Sequence, residues 1–134
     1  MRLLLDTHVL LWAVTDDPML PAEAAKLILA PGNQVYYSII SLWETELKRI
    51  AHPKQLTVTA ERLKAFCDMS GFTLSGLSEE AVFHLSALKR KKGAGMHKDP
   101  FDRMLVSHAI VKDLTILTHD KRIAEYRAVK VKLV

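Results

Sequence analysis

A single cysteine, Cys67, leaves this chain of 134 residues with no internal disulfide, which points to a reducing compartment. No apolar run approaches the roughly 20 residues that a membrane span requires, so no transmembrane segment is expected. Asp6 interrupts the apolar start, which makes a poor signal peptide. These absences together predict a cytoplasmic protein with no membrane partner. Internal repeats and low-complexity tracts are also missing, so residues 1–134 are read as one domain.

What is there is a soluble globular balance, with 49% hydrophobic and 25% charged residues. The formal net charge is +4 and the pI is near 9.3. That favours a polyanionic partner only weakly, since many basic proteins bind no nucleic acid.

The organising stretch is Leu3-Leu4-Leu5-Asp6-Thr7-His8. Three consecutive leucines read as a short strand buried on both faces. Asp6 sits where that strand hands over to a helix from His8 to Val14. Further helices are predicted over Pro21 to Ala30, Ser38 to Ala51 and Thr59 to Met69. Another opens at Ser78, carries Val82, Leu85 and Leu88, and ends in Lys89-Arg90-Lys91-Lys92-Gly93. Two more cover Phe101 to Lys112 and Asp120 to Tyr126. Strands are predicted over Gln34 to Tyr37, Phe72 to Leu74, Thr115 to Thr118 and Val129 to Val134. Strands and helices alternate from end to end, which argues for a parallel sheet covered by helices on both faces.

Acidic residues fall at the strand-to-helix junctions or helix starts: Asp6, Glu44, Asp99 with Asp102, and Asp120. In a parallel sheet these junctions share one edge, where ligands bind. Packed carboxylates repel, and a hard divalent cation such as Mg²⁺ or Mn²⁺ relieves the repulsion. Such a cation also acidifies water and neutralises charge building on a phosphate, which equips a phosphodiester hydrolase. Each acid has a structural explanation as well. Asp6, Asp99 and Asp120 suit helix N-caps. Glu44 fits a capping box with Ser41, or a pair with Lys48 one turn on. Asp102 favours the helix dipole, but its place beside the stripe of Phe101 and Leu105 turns it toward the protein.

The runs Leu3 to His8, Trp43-Glu44, His97-x-Asp99-Pro100-Phe101-Asp102-Arg103 and Leu117-Thr118-His119-Asp120 resemble the PIN domain. More narrowly they are similar to the VapC-type toxins of toxin–antitoxin pairs, in the branch carrying a DPFDR run. The resemblance implies a three-layer α/β/α sandwich around a short parallel sheet. It implies cleavage of RNA that depends on Mg²⁺ or Mn²⁺. The family's acids fall on Asp6, Glu44, Asp102 and Asp120, with Asp99 as an extra metal ligand. Thr7 and Thr118 match hydroxyl positions that hold the site. A cognate antitoxin covering the pocket, and a homodimer, are likewise implied. Relatives of the same fold that process RNA or cut DNA structures without being toxins, and non-catalytic RNA- or protein-binding modules, are the alternatives.

Lys89 to Lys92 has a plain explanation as a basic helix C-terminus, although it leads through Gly93 and Gly95 to Lys98. Lys98 and Arg103 are candidates for holding RNA phosphates, and Arg103 alternatively pairs with Asp99 or Asp102. Trp12, Trp43 and Phe101 are read as core. The histidines near the motifs, His8, His97, His108 and His119, lack the recurrent spacing of a zinc site.

Overall fold

Leu3, Leu4 and Leu5 are wholly shielded from solvent in the computed structural model, which describes residues 1–134. The elements run β1 (Arg2–Leu5), α1 (Thr7–Val14), α2 (Ala22–Leu29), β2 (Gln34–Ser38), α3 (Ile39–Ala51), α4 (Ala60–Met69) and β3 (Thr73–Ser75). After them come α5 (Glu79–His84), a 3₁₀ turn (Leu85–Ala87), α6 (Pro100–Lys112), β4 (Thr115–Thr118), α7 (Lys121–Ala124) and β5 (Lys130–Leu133). The strands lie in the order β3-β2-β1-β4-β5, and every neighbouring pair is parallel.

The period-two alternation of the strands decides which helix covers which face. Leu4 and Ile116 point into one core with Ile40, Leu105, Val106 and Ala109, so α3 and α6 lie on that side. Leu5 and Leu117 point into the other with Val9, Leu10, Ala24, Leu63 and Cys67, so α1, α2 and α4 lie there. Burial of each large aliphatic side chain contributes about 1.5–3 kcal/mol. The result is the expected α/β/α sandwich.

From β1 the chain moves outward through β2 and β3, whereas β4 and β5 extend the sheet on the other side. Such a reversal opens a crevice beyond the carboxyl ends of the two central strands. Leu5 and Leu117 are in register, and Asp6 N donates to Leu117 O at 3.1 Å. Asp6 and His119-Asp120 therefore follow β1 and β4 directly into that crevice.

Tertiary pairing overrides the helix expected to reach Lys89–Lys92. Helix α5 stops at His84 and gives way to the 3₁₀ turn. Lys91 N donates to Glu125 O at 2.7 Å and Arg127 N to Lys89 O at 2.8 Å, with Arg90 opposite Tyr126 in an antiparallel bridge. The basic run is thus extended backbone beside the end of α7, not a helix C-terminus. Val82 also turns out exposed. Helix α3 departs from expectation in another way. Ser38, not Ser41, caps it, which removes the capping box for Glu44. Its buried positions are Ile40, Ser41, Glu44 and Thr45, because its inner face borders the crevice. Its apolar stripe is turned outward instead. Trp43 is not core but 59% exposed, in line with exposed Ile39, Leu47 and Ile50.

Helix α6 is tied to the edge strand β3 through His108, whose Nε2 lies 2.8 Å from Ser75 Oγ. The ring is fully buried. Burial, with a smaller push from Lys112, drives its pKa from 6.5 down to about 4. The unfolded chain takes up a proton first, so the stability from the neutral ring is complete above pH 6.5 and is lost as pH falls to 4. The full loss is about 3 kcal/mol. In a thermal-denaturation series, His108→Gln should lower the melting temperature at neutral pH but flatten its decline over that interval. An unchanged slope would remove His108 as its cause.

Candidate active site

The crevice is built from its two central strands outward. Asp6 Oδ1 accepts from Val9 N at 2.8 Å and so caps α1. Its Oδ2 accepts from the Thr118 hydroxyl. Thr118 Oγ1 in turn accepts from Asp120 N at 2.9 Å. One hydroxyl at the end of β4 thereby fixes the two acids on either side of the sheet's reversal. Asp6 is 5% exposed. Burial pushes its pKa up against the lowering pull of Thr118 and Val9, and the charge of Asp120 adds to the rise.

Asp99 serves as the cap of α6, accepting from Phe101 N at 2.9 Å and Asp102 N at 3.0 Å. Pro100 follows at the first helical position, where its missing N–H costs nothing. This start turns Asp102 toward the crevice. Asp102 Oδ2 lies 3.1 Å from His97 Nε2. His97, Asp102 and Asp120 each present a ligand-type atom, all within 4.8 Å of one another. Burial, then the charges of Asp99, Glu44, Asp120 and Asp6, raise the Asp102 pKa to about 7. The four other acids singled out in the sequence therefore all act on this one carboxyl group. Asp6 and Glu44 reach it through charge rather than inside the 4.8 Å cluster.

The acids are held differently. Arg122 donates its backbone N to Asp120 at 2.8 Å and grips both carboxylate oxygens with its guanidinium. Burial pulls the Asp120 pKa upward, but the hydrogen bonds and charge of Arg122 outweigh it and hold the group below its ordinary value. Glu44 is 5% exposed and pairs with Lys48 at 2.8 Å. Glu46, two residues on along the same helix, bonds Arg49 and Ala60 N outside this cluster.

Thr7 and Thr118, the hydroxyls matched to the site, are both buried and donate to protein oxygens, Thr7 to Ser41 Oγ at 2.9 Å and Thr118 to Asp6. They position the site from beneath. Arg103 forms no ion pair with Asp99 or Asp102. It lines a cavity of about 370 Å³ with Lys98, Arg90, His97 and Tyr126. Arg90 lies over the Tyr126 ring at 4.7 Å and pairs with Glu125, which fixes it in that wall.

His97 is the site residue that sequence reasoning left unassigned. Its only signal is its place two residues before the cap Asp99. Burial first, then the charges of Arg122 and Arg90, lower its pKa and keep the ring neutral. Nδ1 is buried without a partner. A neutral imidazole among carboxylate oxygens is a donor set for a divalent cation. Burial and the neighbouring acids lift Asp102 to about 7, and such a cation would relieve both by stabilising the ionised form. The residues fit the group: Asp102, Asp120 and His97 would hold it, with Asp6, Glu44 and Asp99 contributing charge.

The PIN domain model matches residues 3–129. No curated protein matches the chain in sequence. Among solved structures, VapBC2 from Rickettsia felis bound to a promoter DNA fragment is similar, with a TM-score of 0.70, 18% identity, and cover of 99% of this chain and 98% of that one. DNA-bound VapBC from Salmonella typhimurium gives 0.65 and 18%, with cover of 98% and 97%. FitAcB from Neisseria gonorrhoeae gives 0.60 and 22%, with cover of 96% and 95%. At these identities the likeness is one of fold. The acid-ringed crevice and a family match across almost its whole length establish that this chain belongs to the PIN-domain family of nucleases.

Proposed function

We propose that the chain is a Mg²⁺- or Mn²⁺-dependent endoribonuclease and the toxin of a toxin–antitoxin pair. The observation that carries this reading is the placement of Asp102 and Asp120 with His97 inside 4.8 Å, under the field of Asp6, Glu44 and Asp99. The cation, when bound, supplies neutralisation of the phosphate's charge and makes nearby water more acidic. The chain's own residues do the rest. Thr118 and Arg122 fix Asp6 and Asp120, so the carboxylates need not reorganise during the reaction. One carboxylate of the cluster takes the proton of the attacking water, which adds to phosphorus in line with the departing ribose oxygen. Lys98 and Arg103, with Arg90, hold neighbouring phosphates in the basic cavity that His97 also lines.

The likeness to structures described as VapBC and FitAcB accords with the resemblance to VapC-type toxins of toxin–antitoxin pairs, which supports a cognate antitoxin for this chain. The outward stripe Ile39, Trp43, Leu47 and Ile50 supports an interface, here taken as a homodimer. No helix is long and apolar enough to cross a membrane, in keeping with a cytoplasmic site of action.

Purified chain incubated with RNA should cut it in Mg²⁺ or Mn²⁺ and not in EDTA, leaving a 5′- or 3′-phosphate. Cyclic 2′,3′-phosphate ends that form equally well in EDTA would refute the mechanism. Asp6→Asn should keep the fold and abolish both cleavage and the growth arrest expected on expression without antitoxin. A fully active variant would take Asp6 out of the site.

Asp102→Asn makes a separate test. The rise of the Asp102 pKa from 3.8 to about 7 disfavours the ionised folded form. That penalty is on the order of 4 kcal/mol. It is present above pH 7 and fades as pH falls toward 3.8. Without divalent cations at pH 8, Asp102→Asn should therefore melt higher than the native chain. Mg²⁺ should raise the melting temperature of the native chain and have little effect on the variant. A variant that melts lower in EDTA would contradict this assignment.

A further inference from the structure

An open cavity of about 410 Å³ lies between α1 and the turn after β4, lined by Asp6, His8, Trp12, His119, Asp120 and Lys121. That volume falls in the range of small-ligand sites, about 300–1,000 Å³. Two of the lining residues belong to the acidic centre. Three others are rings that form one wall. His8 stacks on Trp12 with centroids 5.9 Å apart and planes at 29°. His119 stands edge-on to Trp12 at 5.9 Å and 67°. The wall is firmly founded. Trp12 packs against the core beneath α1, one helical turn beyond His8. His119 is pinned through Nδ1, 2.6 Å from Val134 O. Trp12 is only partly covered, and both histidines are exposed, so the ring faces remain available.

We propose that this cavity is a nucleobase subsite, in which an unpaired base of the RNA substrate stacks against Trp12 beside His8 and His119. The inference rests on the ribonuclease reading and deepens it. A phosphate is less suited to this cavity than a base, because the carboxylates of Asp6 and Asp120 border it against the single lysine, Lys121. A neutral base is suited: its π face stacks on an aromatic ring whatever its identity. The phosphates of the same strand go to the basic cavity lined by Arg90, Lys98 and Arg103. Asp120 and His97, each lining one of the two cavities, lie within 4.8 Å of one another across the acids. The backbone between base and phosphate therefore crosses the acidic centre. A base held in a duplex cannot reach the wall, so the substrate strand must be single there.

The test uses Trp12 as its own reporter. The sequence holds two tryptophans, so Trp43→Phe leaves Trp12 alone, and Asp102→Asn keeps bound RNA uncut. A short single-stranded oligoribonucleotide should quench Trp12 emission, and the same backbone with abasic ribose throughout should not. In the native background, Trp12→Ala should raise KM roughly tenfold with kcat within about threefold, whereas Trp12→Phe keeps most of the affinity. RNA that binds by anisotropy without quenching Trp12, or a Trp12→Ala variant with unchanged KM, overturns the subsite and leaves the nuclease reading standing. A native chain that cleaves no RNA in Mg²⁺ or Mn²⁺ overturns both. If Trp12→Ala fails to fold, the quenching comparison decides alone, since it leaves Trp12 in place.

Discussion

Carboxylates crowded at one end of a parallel sheet repel each other, and much of the surrounding structure exists to withstand that repulsion. Thr118 binds Asp6 and receives the Asp120 backbone, Arg122 clamps the Asp120 carboxylate, Lys48 faces Glu44, and Asp99 is occupied by the backbone of α6. Asp6, Asp99 and Asp102 have no cationic side chain in contact, and it is Asp102 that burial and its acidic neighbours together push up to about 7. The fold keeps the acids in place by topology. Asp6 and Asp120 follow two strands that pair residue for residue, so neither can withdraw without breaking the sheet.

The sandwich was largely legible in the sequence because its cause is local: the doubly buried leucines and the alternation of strand and helix patterns. The acids Asp6, Asp99, Asp102 and Asp120 were legible for the same reason, since each sits at an element boundary that short-range rules identify. The failures came where contacts between distant segments decide. Nothing near Lys89–Lys92 announces that its backbone pairs with Glu125 and Arg127. Nothing near His97 announces that Arg122 and Arg90 surround it. The hydroxyl of Thr7 finds Ser41 across two elements, a bond no spacing rule contains.

Helix α3 shows how the site shapes elements that are not otherwise part of it. An amphipathic helix ordinarily turns its apolar stripe to the core. Here Ser41, Glu44 and Thr45 take the inner face, because the crevice needs a carboxylate there and polar neighbours beneath it. The apolar stripe is displaced outward as a result. The same inversion that supplies Glu44 to the acids leaves Trp43 and Ile50 in need of a partner. A demand at the site thus propagates to a surface on the other side of one helix.

The joint between His97 and Asp102 carries a consequence for tolerated lengths of chain. Asp99 fixes where α6 begins, and each helical residue turns the next by about 100°. A single inserted or deleted residue between that cap and Asp102 would swing the carboxyl away from His97 and Asp120, even if every amino-acid type were retained. The spacing of this hexapeptide is therefore a constraint of its own, which the link Gly93-Ala94-Gly95 just upstream, outside any helix or strand, does not share.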